Sequence, residues 1–156
     1  MVFGVPVALP LLFLPLVLNA YLLGLLLFPS MKRWRRVVVT ALFVVAMDVV
    51  LDPAAVELGF WSYVGSHWFH EVPLKNFLGW VLSAGISVFV FDAVFDQTRL
   101  RDRLDSTQYL LDDLVSFVLL WGAINAWYMN VFPFVFASLF GYGLVKVDRF
   151  DIPTWR

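Results

Sequence analysis

The 156-residue chain has no cysteine and only two histidines. Without thiols there is no disulfide framework, no thiol catalysis and no cysteine-ligated metal. Charge is scarce as well: Asp, Glu, Lys and Arg make up 15% of the chain and leave a net charge of -1. So even a balance argues for neither nucleic acid nor an acidic partner. Apolar residues fill the gap, at 62% against about 45–50% in soluble domains. A soluble core of this size could not hide the excess. The expectation is an all-α integral membrane bundle of about five transmembrane helices, forming a single domain over residues 1–156.

Five apolar stretches stand out, near 2–29, 37–56, 76–95, 109–128 and 131–147. The first lacks a basic leading region and is too long for a signal peptide, but it is long enough to span a bilayer. Its Pro6 and Pro10 are expected to precede the regular helix, with Pro15 inside it. The connections are Ser30–Arg36, Glu57–Lys75, Asp96–Gln108 and a tight turn around Met129–Asn130. Lys32, Arg33, Arg35 and Arg36 fall in the first connection and Arg99, Arg101 and Arg103 in the third. Lys146, Arg149 and Arg156 lie at the C-terminal end, and only Lys75 falls on the other face. The positive-inside rule then places the chain in the cell membrane as a multi-pass protein, N-terminus outside and C-terminus cytoplasmic. The basic cluster Lys32–Arg36 is explained by topology, with a lipid or partner site as the alternative.

Ionisable residues within a span are costly and are functional candidates by default. Asp48 and Asp52, in Met47-Asp48-Val49-Val50-Leu51-Asp52-Pro53, have the i, i+4 spacing that puts both carboxylates on one helix face. Asp48 lies about 16 Å along its span, counted from Val37, and Asp52 nearer the outer interface. Two carboxylates so close cannot both ionise cheaply away from water, so one of the pair is expected to keep its proton. Pro53 disfavours helical geometry at Asp52, which is expected to cap a short helix starting at Pro53. Asp48 is then the better proton donor and Asp52 the better anchor or base; the alternative is a structural pair bonded to neighbouring helices.

The outer loop carries Gly59-Phe60-Trp61-Ser62-Tyr63 and Trp68-Phe69-His70. This reads either as an interfacial aromatic belt or as a lid over an apolar pocket, whose ring faces stabilise a cation. His67, His70 and Glu71 do not have the HExxH spacing, and interfacial histidines are preferred to a metal site. Asn76 either caps the third span or orients a carboxylate or water. Trp80, one turn deeper, either packs or lines the same site. Asn125 either joins this polar group or bonds between helices. Asp112 and Asp113 suit the start of a helix; the further carboxylates a diphosphate-bound magnesium would need are absent. Asp92 and Asp96 are expected at the cytoplasmic interface or paired with nearby arginines.

The segment MDVVLDPAAVELGFWSY, followed by VPLKNFLGW, resembles the carotenoid hydratase family, which includes the bisanhydrobacterioruberin hydratases and carotenoid 1,2-hydratases. Asp48, Asp52, Pro53, Gly59, Trp61, Pro73, Asn76, Gly79 and Trp80 match its pattern, and the resemblance runs from about Gly4 to Arg156. Full members are considerably longer, so the chain is expected to correspond to their C-terminal half. The resemblance implies a multi-spanning enzyme of carotenoid biosynthesis that adds water to a terminal isoprenoid double bond of a linear carotenoid. Protonation would give a tertiary carbocation, which water captures without any cofactor. Asp48 would be the acid, Asp52 the base or orienter, Asn76 their polar partner, and Trp61, Tyr63 and Trp80 the pocket walls. The implied partners are the carotenoid, the bilayer and other carotenoid biosynthesis enzymes or the N-terminal half of the longer architecture. Two other readings stay open: a non-catalytic membrane subunit that binds carotenoid or a partner, and a proton pathway or transporter using Asp48 and Asp52.

Overall fold

The computed structural model describes residues 9–65, 68–106 and 111–147, the side chains of 9–12 and of Asp105 excepted. Among the described residues six α-helices form: α1 Leu9–Leu27, α2 Arg33–Glu57, α3 Leu74–Val94, α4 Gln97–Ser106, α5 Asp112–Trp127 and α6 Val131–Val147. The all-helical expectation holds. Five of the helices coincide with the five apolar stretches, and α4 is a sixth, inside a segment expected to be a connection. Two helices, α2 and α3, are long and apolar enough to cross a membrane; Phe13–Leu27 and Val131–Val147 are apolar but shorter.

The chain divides into two compact units, Met1–Asp48 with Leu74–Asp105, and Val49–Pro73 with Ser106–Arg156. In the first unit, α1 buries Val17, Ala20 and Tyr21, and α3 buries Phe77, Trp80, Ala84, Val88 and Phe91. The α3 residues recur every three or four positions, the stripe that one helix face presents to a protein neighbour. Leu78, Leu82, Ile86 and Val90, elsewhere around the same helix, are exposed although apolar. A helix apolar all round suits a lipid environment better than water. Pro10 lies within α1 rather than before it, and Pro15 is inside the helix as expected; Pro6 lies outside the described residues.

Helix α4 follows from local signals. Asp96 Oδ1 accepts from the backbone N–H groups of Thr98 and Arg99, capping the helix, and Leu104 is buried four residues after Leu100. The remaining positions are largely charged, so a search for apolar runs passes over this helix.

In the second unit, α5 and α6 form a hairpin through Tyr128–Asn130, at the expected turn. A Cβ added at Gly122 would stand 2.9 Å from the Cβ of Ala137, so the glycine lets the two helices approach closely. The C-terminus of α2 is a Schellman motif. Phe60 N–H bonds Ala55 O at 2.9 Å, Gly59 N–H bonds Val56 O at 2.9 Å, and Gly59 takes φ +70°.

Candidate functional site

Helix α2 runs unbroken through Pro53, which corrects the expectation that Asp52 caps a new helix there. A proline inside a helix removes one donor and strains one turn, but it does not force a restart. Here the two alanines that follow it, both fully buried, continue the helix. Asp48 and Asp52 therefore project from one continuous helix and are 0% and 1% exposed.

In the first unit, Asn76 Nδ2 donates to Asp48 Oδ2 at 3.2 Å. Because α3 begins at Leu74, Asn76 is already inside the helix, and its amide serves the carboxylate rather than a cap. Trp80 is one turn further along α3 and 8% exposed. Its ring lies 5.0 Å from that of Phe13 on α1. Phe13 was not singled out from the sequence, because nothing distinguishes it within an apolar run.

In the second unit, Tyr63 donates its hydroxyl to Asp52 Oδ2 at 2.7 Å. The Schellman turn reverses the chain after α2, which brings a residue eleven positions on back to the carboxylate. Trp61 is half-buried, and its indole Nε1 has no hydrogen-bond partner among the described residues. Phe60 stacks edge-on against Trp121 of α5, with ring centroids 6.2 Å apart. Asn125 is fully buried and bonds between helices, from Nδ2 to the Val50 carbonyl at 2.7 Å.

His70 and Glu71 occupy the centre of a tight turn between Phe69 and Val72, with φ of 44° and 63°. Both positive φ values fit a type I′ turn. Both side chains are exposed, and His67 lies outside the described residues. Among the described residues no three histidines or carboxylates are grouped to hold a metal. Asp112 and Asp113 stand in the first turn of α5, as expected of carboxylates that complement a helix dipole.

A second polar centre surrounds Asp92, whose side chain is 1% exposed. It accepts hydrogen bonds from Tyr21 Oη at 2.7 Å and Gln97 Nε2 at 2.9 Å. It also pairs with Arg36 Nε at 3.1 Å and Arg33 Nε at 3.3 Å. Asp92 was expected at the cytoplasmic interface or paired with nearby arginines; its arginine partners are Arg33 and Arg36, far from it in sequence. Its role as a hub joining α1, α2, α3 and α4 was not expected, although Arg33 and Arg36 sit one turn apart at the start of α2.

A family model described as carotenoid biosynthesis protein matches residues 1–144. Bisanhydrobacterioruberin hydratase of Haloarcula japonica is 50% identical over 149 residues, covering 94% of this chain and 50% of the relative. The chain thus spans about half the length of that relative. No solved structure matches.

Proposed function

The chain belongs to the carotenoid biosynthesis protein family, and from that premise we propose that it hydrates a linear carotenoid inside a lipid bilayer. The reaction adds water across a terminal isoprenoid double bond to give a tertiary alcohol. The observation that carries this reading is Asp48, a carboxyl group with no exposure, placed in an apolar helix and held by the Asn76 amide. Protonating an unactivated alkene requires a positioned acid in a site where water does not compete for the proton.

In this scheme the alkene π electrons take the Asp48 proton at the less substituted carbon, forming a C–H bond and leaving a cation on the tertiary carbon. A water oxygen bonds to that carbon. Asp52 takes the proton released by the oxonium, and proton exchange along α2 restores Asp48. The sum is alkene plus water to alcohol, with no change of oxidation state that a redox cofactor would have to balance. The ring face of Trp80, one turn along α3 from Asn76, stabilises the cation. The buried indole N–H of Trp61 is a donor for the incoming or product oxygen.

The membrane frame is part of the same proposal. Helices α1, α2, α3, α5 and α6 are the five spans, and α4 lies at the cytoplasmic face with its arginines. The exposed apolar residues of α3 and the one-sided distribution of basic residues support it. The N-terminus lies outside and the C-terminus inside.

The second reading is a non-catalytic membrane subunit that binds the carotenoid or a partner enzyme. What favours it is coverage, because the chain matches only half of the Haloarcula relative. Expression in a host that makes bisanhydrobacterioruberin separates the two readings. The chain is supplied alone and, in parallel, joined to the N-terminal half of that relative. Carotenoids gaining one water per hydrated end with the chain alone support the enzyme. Product only from the joined protein supports the subunit reading, and no product from either overturns hydration.

A further inference from the structure

Asn125 has every hydrogen-bonding group of its amide engaged. Its Nδ2 donates to Val50 O at 2.7 Å and to Trp121 O at 2.9 Å, and its Oδ1 accepts from Asn130 Nδ2 at 3.2 Å. These partners fix the amide orientation, since the flipped amide would aim an acceptor at two carbonyl oxygens. Asn130 is itself 6% exposed and doubly anchored. Its backbone N–H bonds Asn125 O at 2.8 Å, and its carbonyl accepts from Phe134 N–H at 3.0 Å in the first turn of α6. The orienting residue is thus held by the same turn that joins α5 to α6.

The carbonyl that Asn125 grips is the informative part. Val50 precedes Asp52 by two residues, in the turn of α2 that Pro53 weakens. Proline has no N–H to give to the carbonyl four residues back, that of Val49, and helices bend where the ladder is interrupted. A donor from α5 on the adjacent carbonyl fixes the backbone at that turn. Asp52 projects from it toward the Tyr63 hydroxyl.

We propose that Asn125, oriented by Asn130, is a positioning residue for Asp52, setting the aim of its carboxylate by holding the α2 backbone at Val50. The kinetic consequence rests on the hydratase reading; the structural consequence does not. The test compares wild type with Asn125→Leu, which keeps the volume and removes the donors, and with Asn125→Gln. Ser138→Ala, at an exposed position on α6, serves as the control. Each protein is studied in lipid nanodiscs by three measurements. These are kcat and KM for carotenoid hydration, amide hydrogen exchange over residues 49–58, and the 13C signal of the Tyr63 hydroxyl-bearing carbon, assigned with Tyr63→Phe.

Asn125→Leu is expected to lower kcat about tenfold, the effect of losing the one of its three hydrogen bonds that holds Val50 O, while KM stays within about twofold. It should also speed exchange at 49–58 and move the Tyr63 signal. Asn125→Gln, which retains the donor, should recover part of each effect, and Ser138→Ala should change none. If Asn125→Leu does not accumulate, Asn130→Ala removes the orienting amide and should give the same changes at smaller size. Wild-type kcat with an unmoved Tyr63 signal would overturn the proposal. So would faster exchange spread evenly over α5 and α6 with Tyr63 unmoved, because that describes packing alone. If wild type forms no product the hydratase reading fails, and exchange at 49–58 with the Tyr63 signal then decides the positioning role.

Discussion

Neutralising Asp92 is expected to cost the fold more than losing any exposed ion pair. The carboxylate is 1% exposed and faces Arg36, itself only 7% exposed, at 3.1 Å. Asp92→Asn keeps the size and one acceptor but leaves a buried guanidinium with no opposite charge. Breaking a buried pair from one side costs about 3–5 kcal/mol, and the retained acceptor places this change near 3 kcal/mol. Arg33 also touches Asp92 but is 51% exposed, so Arg33→Gln should cost less than about 1 kcal/mol. Tyr21→Phe removes a hydrogen bond to a charged acceptor, at about 1.5–3 kcal/mol. Asp92→Asn combined with Arg36→Gln should cost less than the sum of the single changes, by about 1–3 kcal/mol, because the second change removes the stranded charge. Reversible unfolding in mixed detergent micelles, followed by circular dichroism, measures these four and Arg36→Gln alone. Equal losses for Arg33→Gln and Asp92→Asn, or strict additivity of the double change, would refute the buried-hub argument.

Two further predictions concern packing and topology. Gly122→Ala brings a methyl group to 2.9 Å from Ala137 and should destabilise the α5–α6 hairpin by about 1–3 kcal/mol; unchanged unfolding would show that the helices separate freely. Ser62→Cys and Thr98→Cys, both at exposed positions, should react with a membrane-impermeant maleimide from opposite sides of sealed vesicles. Labelling from one side would reject the five-span layout.

What was legible in the sequence was what hydropathy and side-chain spacing encode. The apolar runs located five of the six helices among the described residues. The i, i+4 carboxylates located the two most buried acids of α2, and the tight turn at Met129–Asn130 separates α5 from α6. Helix α4 escaped because its signal is not apolar length but a capping aspartate and two leucines in a charged segment. Asp52 does not cap a helix because one proline does not end α2, which Ala54 and Ala55 continue. The partners of the acids were less accessible. That Asn76 serves Asp48 depends on where α3 begins, which shifts an expected cap to an internal position. That Tyr63 reaches Asp52 depends on the Gly59 turn. Charge alone suggests an arginine partner for Asp92, but that Arg33 and Arg36 supply it, and the number of helices it joins, are properties of the packing.

If, as proposed, a buried carboxyl group of α2 delivers the proton, carotenoid product from Asp48→Asn beside Asp52→Asn reveals it. Both are made in whichever form of the protein, alone or joined to the N-terminal half of its relative, gives hydrated product. Asparagine at 48 keeps the size and an acceptor for the Asn76 amide but has no acidic proton to give. Hydrated carotenoid should disappear while the protein remains folded and membrane-inserted. Asparagine at 52 still accepts from Tyr63 and should leave reduced but measurable product. Near-normal hydration by Asp48→Asn with loss in Asp52→Asn would reverse the two roles, and full product from both would contradict the account.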